Sequence, residues 1–220
     1  MRTINNENIP VIGSRLRLIL FYLIHCLLLA PAVPSASLAE ITSGQRTESP
    51  KVDFANFSYL WPTRWEESDT PDADWKWLAD RPQQTVHLQD SWHRFQDSDG
   101  NSLGYLNLRS ITYGDLDGDG RDEVAVDLLR GSGGTANWHY LYVYKFRGSA
   151  LNLVGWLKSG SRAYGGLVQV VIRGGALVLD FSDPDRRIGD CCSEGIIRVR
   201  YRFEGGQFVE IPPRIKEDLK

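Results

Sequence analysis

From Thr85 onward the chain keeps a period of two, and glycine-bearing turns cut it at short intervals. No other feature restricts the fold as much. Successive side chains of a strand point to opposite faces, so alternation marks a strand lying between two different surroundings. Residues 123–129 place Val124, Val126 and Leu128 on one face and Ala125, Asp127 and Leu129 on the other. Residues 139–146 align Tyr140, Tyr142, Tyr144 and Phe146 opposite Leu141 and Val143. Residues 167–173 and 176–181 flank Gly174-Gly175, and residues 196–203 and 208–211 flank Glu204-Gly205-Gly206-Gln207. Tight glycine turns between such runs are hairpin signals. Further strands are expected at 52–61, 86–89, 92–96, 103–113 and 151–157. Parallel pairing needs crossovers of about a dozen residues or more, and the spacing leaves no room for them.

The expected fold is mainly β, an antiparallel meander of hairpins forming a single compact sheet or a partly closed sandwich. One short N-terminal helix is expected at 72–80, where Thr70 and Pro71 give a helix start. The chain has 220 residues. A full propeller needs several four-stranded blades of about 40–50 residues each, which excludes one here.

The first 39 residues read as an address. Arg2, Arg15 and Arg17 precede an apolar run from Leu18 to Ala30, and Pro31, Pro34 and small residues lead to Ser37-Leu38-Ala39. Basic, apolar and small-residue regions in that order make a secretory signal, with cleavage expected near Ala39. The run is shorter than the roughly 20 residues that span a bilayer, so the membrane is met only during export. The expected location is secreted or periplasmic. Residues 40–51 read as a flexible linker, 52–212 as the β-domain and 213–220 as a polar tail.

The formal net charge of -3 argues against a nucleic-acid binder driven by bulk charge. Removing the signal takes Cys26 away and leaves Cys191 and Cys192, adjacent in sequence. Consecutive Cα atoms lie about 3.8 Å apart, whereas ordinary disulfides want about 4.4–6.8 Å. Three readings stay open: two thiols in a turn, a strained vicinal disulfide, or a soft-metal or intermolecular site.

The most specific local pattern is Asp115-Leu116-Asp117-Gly118-Asp119-Gly120-Arg121-Asp122-Glu123. Acids alternate at positions one, three and five, and glycine stands at position six, where a calcium loop turns sharply. Hard cations want six to eight oxygens, which Asp115, Asp117, Asp119, the Arg121 carbonyl and Glu123 would begin to supply. The twelfth position, where an EF-hand has its bidentate Glu, is Val126 inside a strand. The pattern therefore describes an EF-like loop set in a β-hairpin, with Glu123 closing the shell early and a structural Ca2+ as the expected ion.

This run, followed by Val-Ala-Val, resembles the calcium loop and strand of FG-GAP and VCBS repeats, where position nine is usually Asp. The stretch 85–211 also resembles a family of uncharacterised secreted bacterial proteins. That likeness uses Gly131-Ser132-Gly133-Gly134, the aromatic strand at 140–144, Asp190-Cys191-Cys192 and the closing Arg-Tyr-Arg-Phe strand. It implies no activity.

Two faces are candidates for ligands. Arg198, Arg200 and Arg202 share one face of a strand, opposite Ile197, Val199, Tyr201 and Phe203. Tyr140, Tyr142 and Tyr144 make a flat aromatic face of the kind that suits sugars or peptides. Neither a Gly-x-Ser-x-Gly elbow, nor a phosphate-binding glycine loop, nor two metal-spaced histidines occurs. The expected function is a secreted Ca2+-stabilised β-domain that binds an envelope polysaccharide or protein. The alternatives are a secreted hydrolase of cell-wall material and a purely structural envelope protein.

Overall fold

The computed structural model describes residues 50–61, 77–78, 84–134 and 136–219. The signal-like segment 1–39 and most of the 40–51 linker lie outside them. Twelve strands are described: β1 Ser58–Trp61, β2 Trp77–Leu78, β3 Gln84–His87, β4 Trp92–Gln96, β5 Ser102–Gly114 and β6 Glu123–Gly131 are followed by β7 Asn137–Arg147, β8 Ala150–Ser161, β9 Leu167–Ile172, β10 Leu177–Ser182, β11 Gly195–Glu204 and β12 Gln207–Asp218. Every pairing is antiparallel, and no sheet closes into a barrel or propeller. Among the described residues no helix is long and apolar enough to cross a membrane.

Chain order and sheet order nearly coincide, as expected of a meander. One sheet runs β2-β8-β7-β6-β5-β4 and a second runs β12-β11-β10-β9. A two-stranded ribbon pairs β1 with β3. Of the helix expected at 72–80, only Trp77 and Leu78 are described, and they pair with Leu157 and Trp156 as an edge strand. At those two residues the helix expectation is wrong: backbone pairing at the sheet edge overrides a weak helix start.

The large sheet is covered on both faces. Val124, Val126 and Leu128 of β6 and Tyr140, Tyr142 and Tyr144 of β7 pack with Phe54, Tyr59, Trp61, Val86 and Leu88 from the N-terminal segment. Ala125, Leu141, Val143 and Leu157 face the other way, into Leu177, Leu179, Phe181, Val199 and Tyr201 of the four-stranded sheet. This explains why β6 is buried almost throughout, although it alternates in sequence. Both of its faces meet protein, as in central strands of layered sheets.

The tyrosine face is therefore not a ligand face. Tyr140, Tyr142 and Tyr144 are 2%, 0% and 5% exposed. The Trp61 ring lies tilted 4.5 Å from the Tyr140 ring and Phe57 meets Tyr144 edge-on at 5.9 Å. The Tyr142 hydroxyl donates to the Leu60 carbonyl at 2.8 Å, giving its polar tip a partner within the layer. Burial pushes the phenols of Tyr142 and Tyr144 above their ordinary range. Alternation revealed that these rings share a face; only the fold shows that a distant ribbon covers it.

The polar tail is also corrected. Residues 213–218 are the second half of β12, which pairs from Glu204↔Gln207 to Gly195↔Asp218. The register shifts between Arg198 and Arg200, opposite the segment holding Pro212 and Pro213. Proline lacks an N–H for the ladder and is accepted at an edge strand or a bulge.

β5 and β9 approach closely across the inter-sheet layer. The Thr112 hydroxyl donates to the Val170 carbonyl at 3.2 Å, and a Cβ on Gly114 would lie 2.6 Å from Ile172 Cγ2. Gly114→Ala is expected to destabilise by about 1–3 kcal/mol through overpacking, seen as a lower urea midpoint at unchanged slope.

Candidate metal centre

The acidic loop joins β5 to β6. Its last ladder pair is Gly114↔Glu123, so residues 115–122 form the turn and Glu123 opens the next strand. Gly118 and Gly120 have φ of 78° and 81°, the left-handed region that glycine enters without penalty. The loop folds on its own carboxylates. Asp115 accepts from the Gly118 N–H at 2.7 Å and the Gly120 N–H at 3.0 Å. Asp117 accepts from the Asp119 N–H at 3.3 Å, and Asp119 from the Arg121 N–H at 2.9 Å.

Oxygens of Asp115, Asp117 and Glu123 lie within 4.8 Å of one another. Asp119 stands outside that triad, and Arg121 is exposed. Glu123 is 1% exposed. Its Oε2 accepts from the Leu116 N–H at 2.8 Å, while its buried Oε1 has no hydrogen-bond partner. Burial, with the nearby Asp117 and Asp119 adding to it, raises the Glu123 carboxyl above its ordinary range.

Sequence reasoning missed Lys145. Its ammonium bonds Asp117, reaches Asp119 at 3.0 Å and stands 3.7 Å from Glu123 Oε1. That hydrogen bond holds the Asp119 carboxyl below its usual value. Burial alone would lower the Lys145 ammonium, but its bonds to Asp117 and Asp119 raise it. The signal was present in the register: Lys145 sits one step beyond the Val124↔Tyr144 pair, beside Glu123.

The arginine face is partly neutralised. Arg198 forks onto Asp180 at 2.8 and 2.9 Å and also holds Glu217 at 3.0 Å. Arg202 pairs with Glu204 at 3.2 Å, and Arg200 is half-buried. Cys191 and Cys192 form a disulfide with each other on an exposed loop, with Cα atoms 3.7 Å apart. This is the vicinal bridge among the three readings. His139 Nδ1 lies 2.9 and 3.0 Å from the two oxygens of buried Asp127.

No protein-family model, curated protein or solved structure matches the chain. The likeness to FG-GAP and VCBS loops therefore stands on the residues of 115–126 themselves.

Proposed function

We propose that this chain is an exported β-domain stabilised by one Ca2+ at the 115–123 loop, serving as a binding module in the cell envelope. The observation that carries the reading is Glu123. A buried carboxylate oxygen without a hydrogen bond is costly unless a cation meets it, and the Lys145 ammonium, at 3.7 Å, stands beyond hydrogen-bond reach of it. Asp115 and Asp117 are close enough to complete a three-carboxylate seat for a hard ion, and further oxygens come from the loop backbone and water. The ion would pin the hairpin that enters β6. Export is supported by the order of basic, apolar and small residues in 1–39 and by a cysteine bridge suited to oxidising compartments. The outward arginines of β11, Arg200 and Arg202, support contact with an anionic envelope polysaccharide or protein partner.

Lys145 makes the reading testable. Its ammonium lies among the carboxylates that would hold the ion, so the two cations compete. In calorimetric titration of the chain with Ca2+, Lys145→Met is expected to tighten binding several-fold relative to wild type. Unchanged or weaker binding in Lys145→Met, or no Ca2+ heat in either protein, contradicts the site. Terminal sequencing of the exported protein should begin near Glu40; retention in the cytoplasm contradicts export.

A further inference from the structure

A cavity of about 200 Å3 lies over the opposite end of β6 from the acidic loop, lined by Leu129 rather than Glu123. Arg109, Arg162, His139, Asn137 and Ser182 all line it. These residues come from β5, the β8–β9 turn, β7 and β10, so the fold, not local sequence, assembles them.

Three backbone irregularities place them. Arg109 is the extra residue where the β5–β6 register shifts between Leu108 and Ser110. Such bulges re-aim a side chain that a regular ladder would point elsewhere. The β7–β8 register shifts between Trp138 and Tyr140, at His139. Arg162 is held at φ 48°, one of three non-glycine residues with positive φ among those described. The turn around it is wound tightly: Gly160 N–H donates to the Gly165 carbonyl at 3.0 Å, and Gly166 N–H to the Arg162 carbonyl at 2.9 Å. A Cβ on Gly160 would stand 1.7 Å from the Tyr164 carbonyl oxygen, and one on Gly166 would stand 2.6 Å from the Arg162 backbone. Irregular backbone converging on one cavity is a reason to look for function there.

The electrostatics are one-sided. Arg109 and Arg162 have no acidic partner among the described residues. No acid lines the cavity among the described residues, and Asp127, which bonds the lining residue His139, is 6% exposed. The next acid along the chain from Ser182, Asp183, is taken by Lys216 at 3.2 Å. A carboxylate only accepts, so Asp127 fixes the proton on His139 Nδ1 and leaves Nε2 as the ring's open hydrogen-bonding atom.

We infer that this cavity binds a small oxyanion, a phosphate, sulfate or carboxylate group, between the guanidiniums of Arg109 and Arg162. Asn137 and Ser182 supply further donors, and His139, oriented by Asp127, adds one when protonated. Guanidinium forks match such oxygens in pairs. The volume is below the roughly 300–1,000 Å3 of sites for drug-sized molecules, so the ligand is little more than the anionic group itself.

The experiment is calorimetric titration of the full chain with inorganic phosphate, sulfate and acetate at constant ionic strength. Saturable one-to-one binding of at least one anion is expected. It should weaken at least tenfold in Arg109→Gln and in Arg162→Asn, because asparagine tolerates the positive φ. Arg147→Gln, exposed at the far end of β7, should leave it unchanged. Binding of phosphate or sulfate alone defines a tetrahedral ligand, and binding of acetate a carboxylate; either supports the site. Melting scans establish that the variants are folded, and NMR of the wild-type His139 ring gives a reading independent of any variant. No saturable binding of the three anions, or full affinity in both arginine variants, overturns the inference.

Discussion

Tyr142→Ala is expected to destabilise the fold by about 3–5 kcal/mol, the range for truncating a buried aromatic side chain. Tyr142 is fully buried, with its ring 5.7 Å from Tyr59, 6.3 Å from Tyr144 and 6.3 Å from Trp156. Truncation also removes the hydroxyl bond to the Leu60 carbonyl, which ties β7 to β1. The adjacent residue tests the other face. Leu141 is equally buried but points into the four-stranded sheet, and Leu141→Ala is expected to cost about 2–5 kcal/mol. In a sheet with one wet face, neighbouring positions of a strand differ sharply in tolerance. Here both should be intolerant, while Val209→Ala, 42% exposed on β12, should change stability by no more than about 0.5 kcal/mol. Urea unfolding of the three variants reads the comparison directly. A Tyr142→Ala as mild as Val209→Ala would mean that the tyrosine face is open after all.

The same pair shows what could be read in the sequence and what could not. Period two and glycine turns give the strands from 92 to 204 within a few residues, because both signals are local. They also give the meander, since adjacent strands joined by tight turns must pair. What covers each face is not local: Tyr142 meets Leu60 across 82 positions, and Thr112 meets Val170 across 58. The acidic loop could be read for the same local reason, because Asp115, Asp117 and Glu123 lie within nine residues. Lys145 and the Arg109–Arg162 cavity depend on register and bulges, which alternation alone does not encode. The segment 213–218 looks like a tail because Pro213 and its charges lack a strand pattern, although an edge strand tolerates both.

The second large effect concerns the metal loop. Adding Ca2+ to the chelated protein is expected to raise stability by about 2.7 kcal/mol once the ion reaches about a hundred times its dissociation constant. For a chain of this size, that is a rise in melting temperature of about 5–10 °C. The gain arises because the ion binds only when Asp115, Asp117 and Glu123 are brought together, and that arrangement requires the β5–β6 hairpin. Glu123→Gln separates this from any general effect of calcium. Glutamine keeps the shape and the acceptor for the Leu116 N–H but carries no charge. In chelator, the variant should be as stable as wild type or more stable, because it removes a buried, raised carboxylate whose Oε1 lacks a hydrogen bond. In Ca2+ the order should reverse, with wild type gaining the full shift and Glu123→Gln little of it. Asp122→Asn, beside the triad but outside it, should keep most of the shift. Equal calcium shifts in wild type and Glu123→Gln would place the ion elsewhere. No shift in any of them would leave Lys145 as the resident cation of the loop, with the buried Glu123 oxygen facing its ammonium at 3.7 Å.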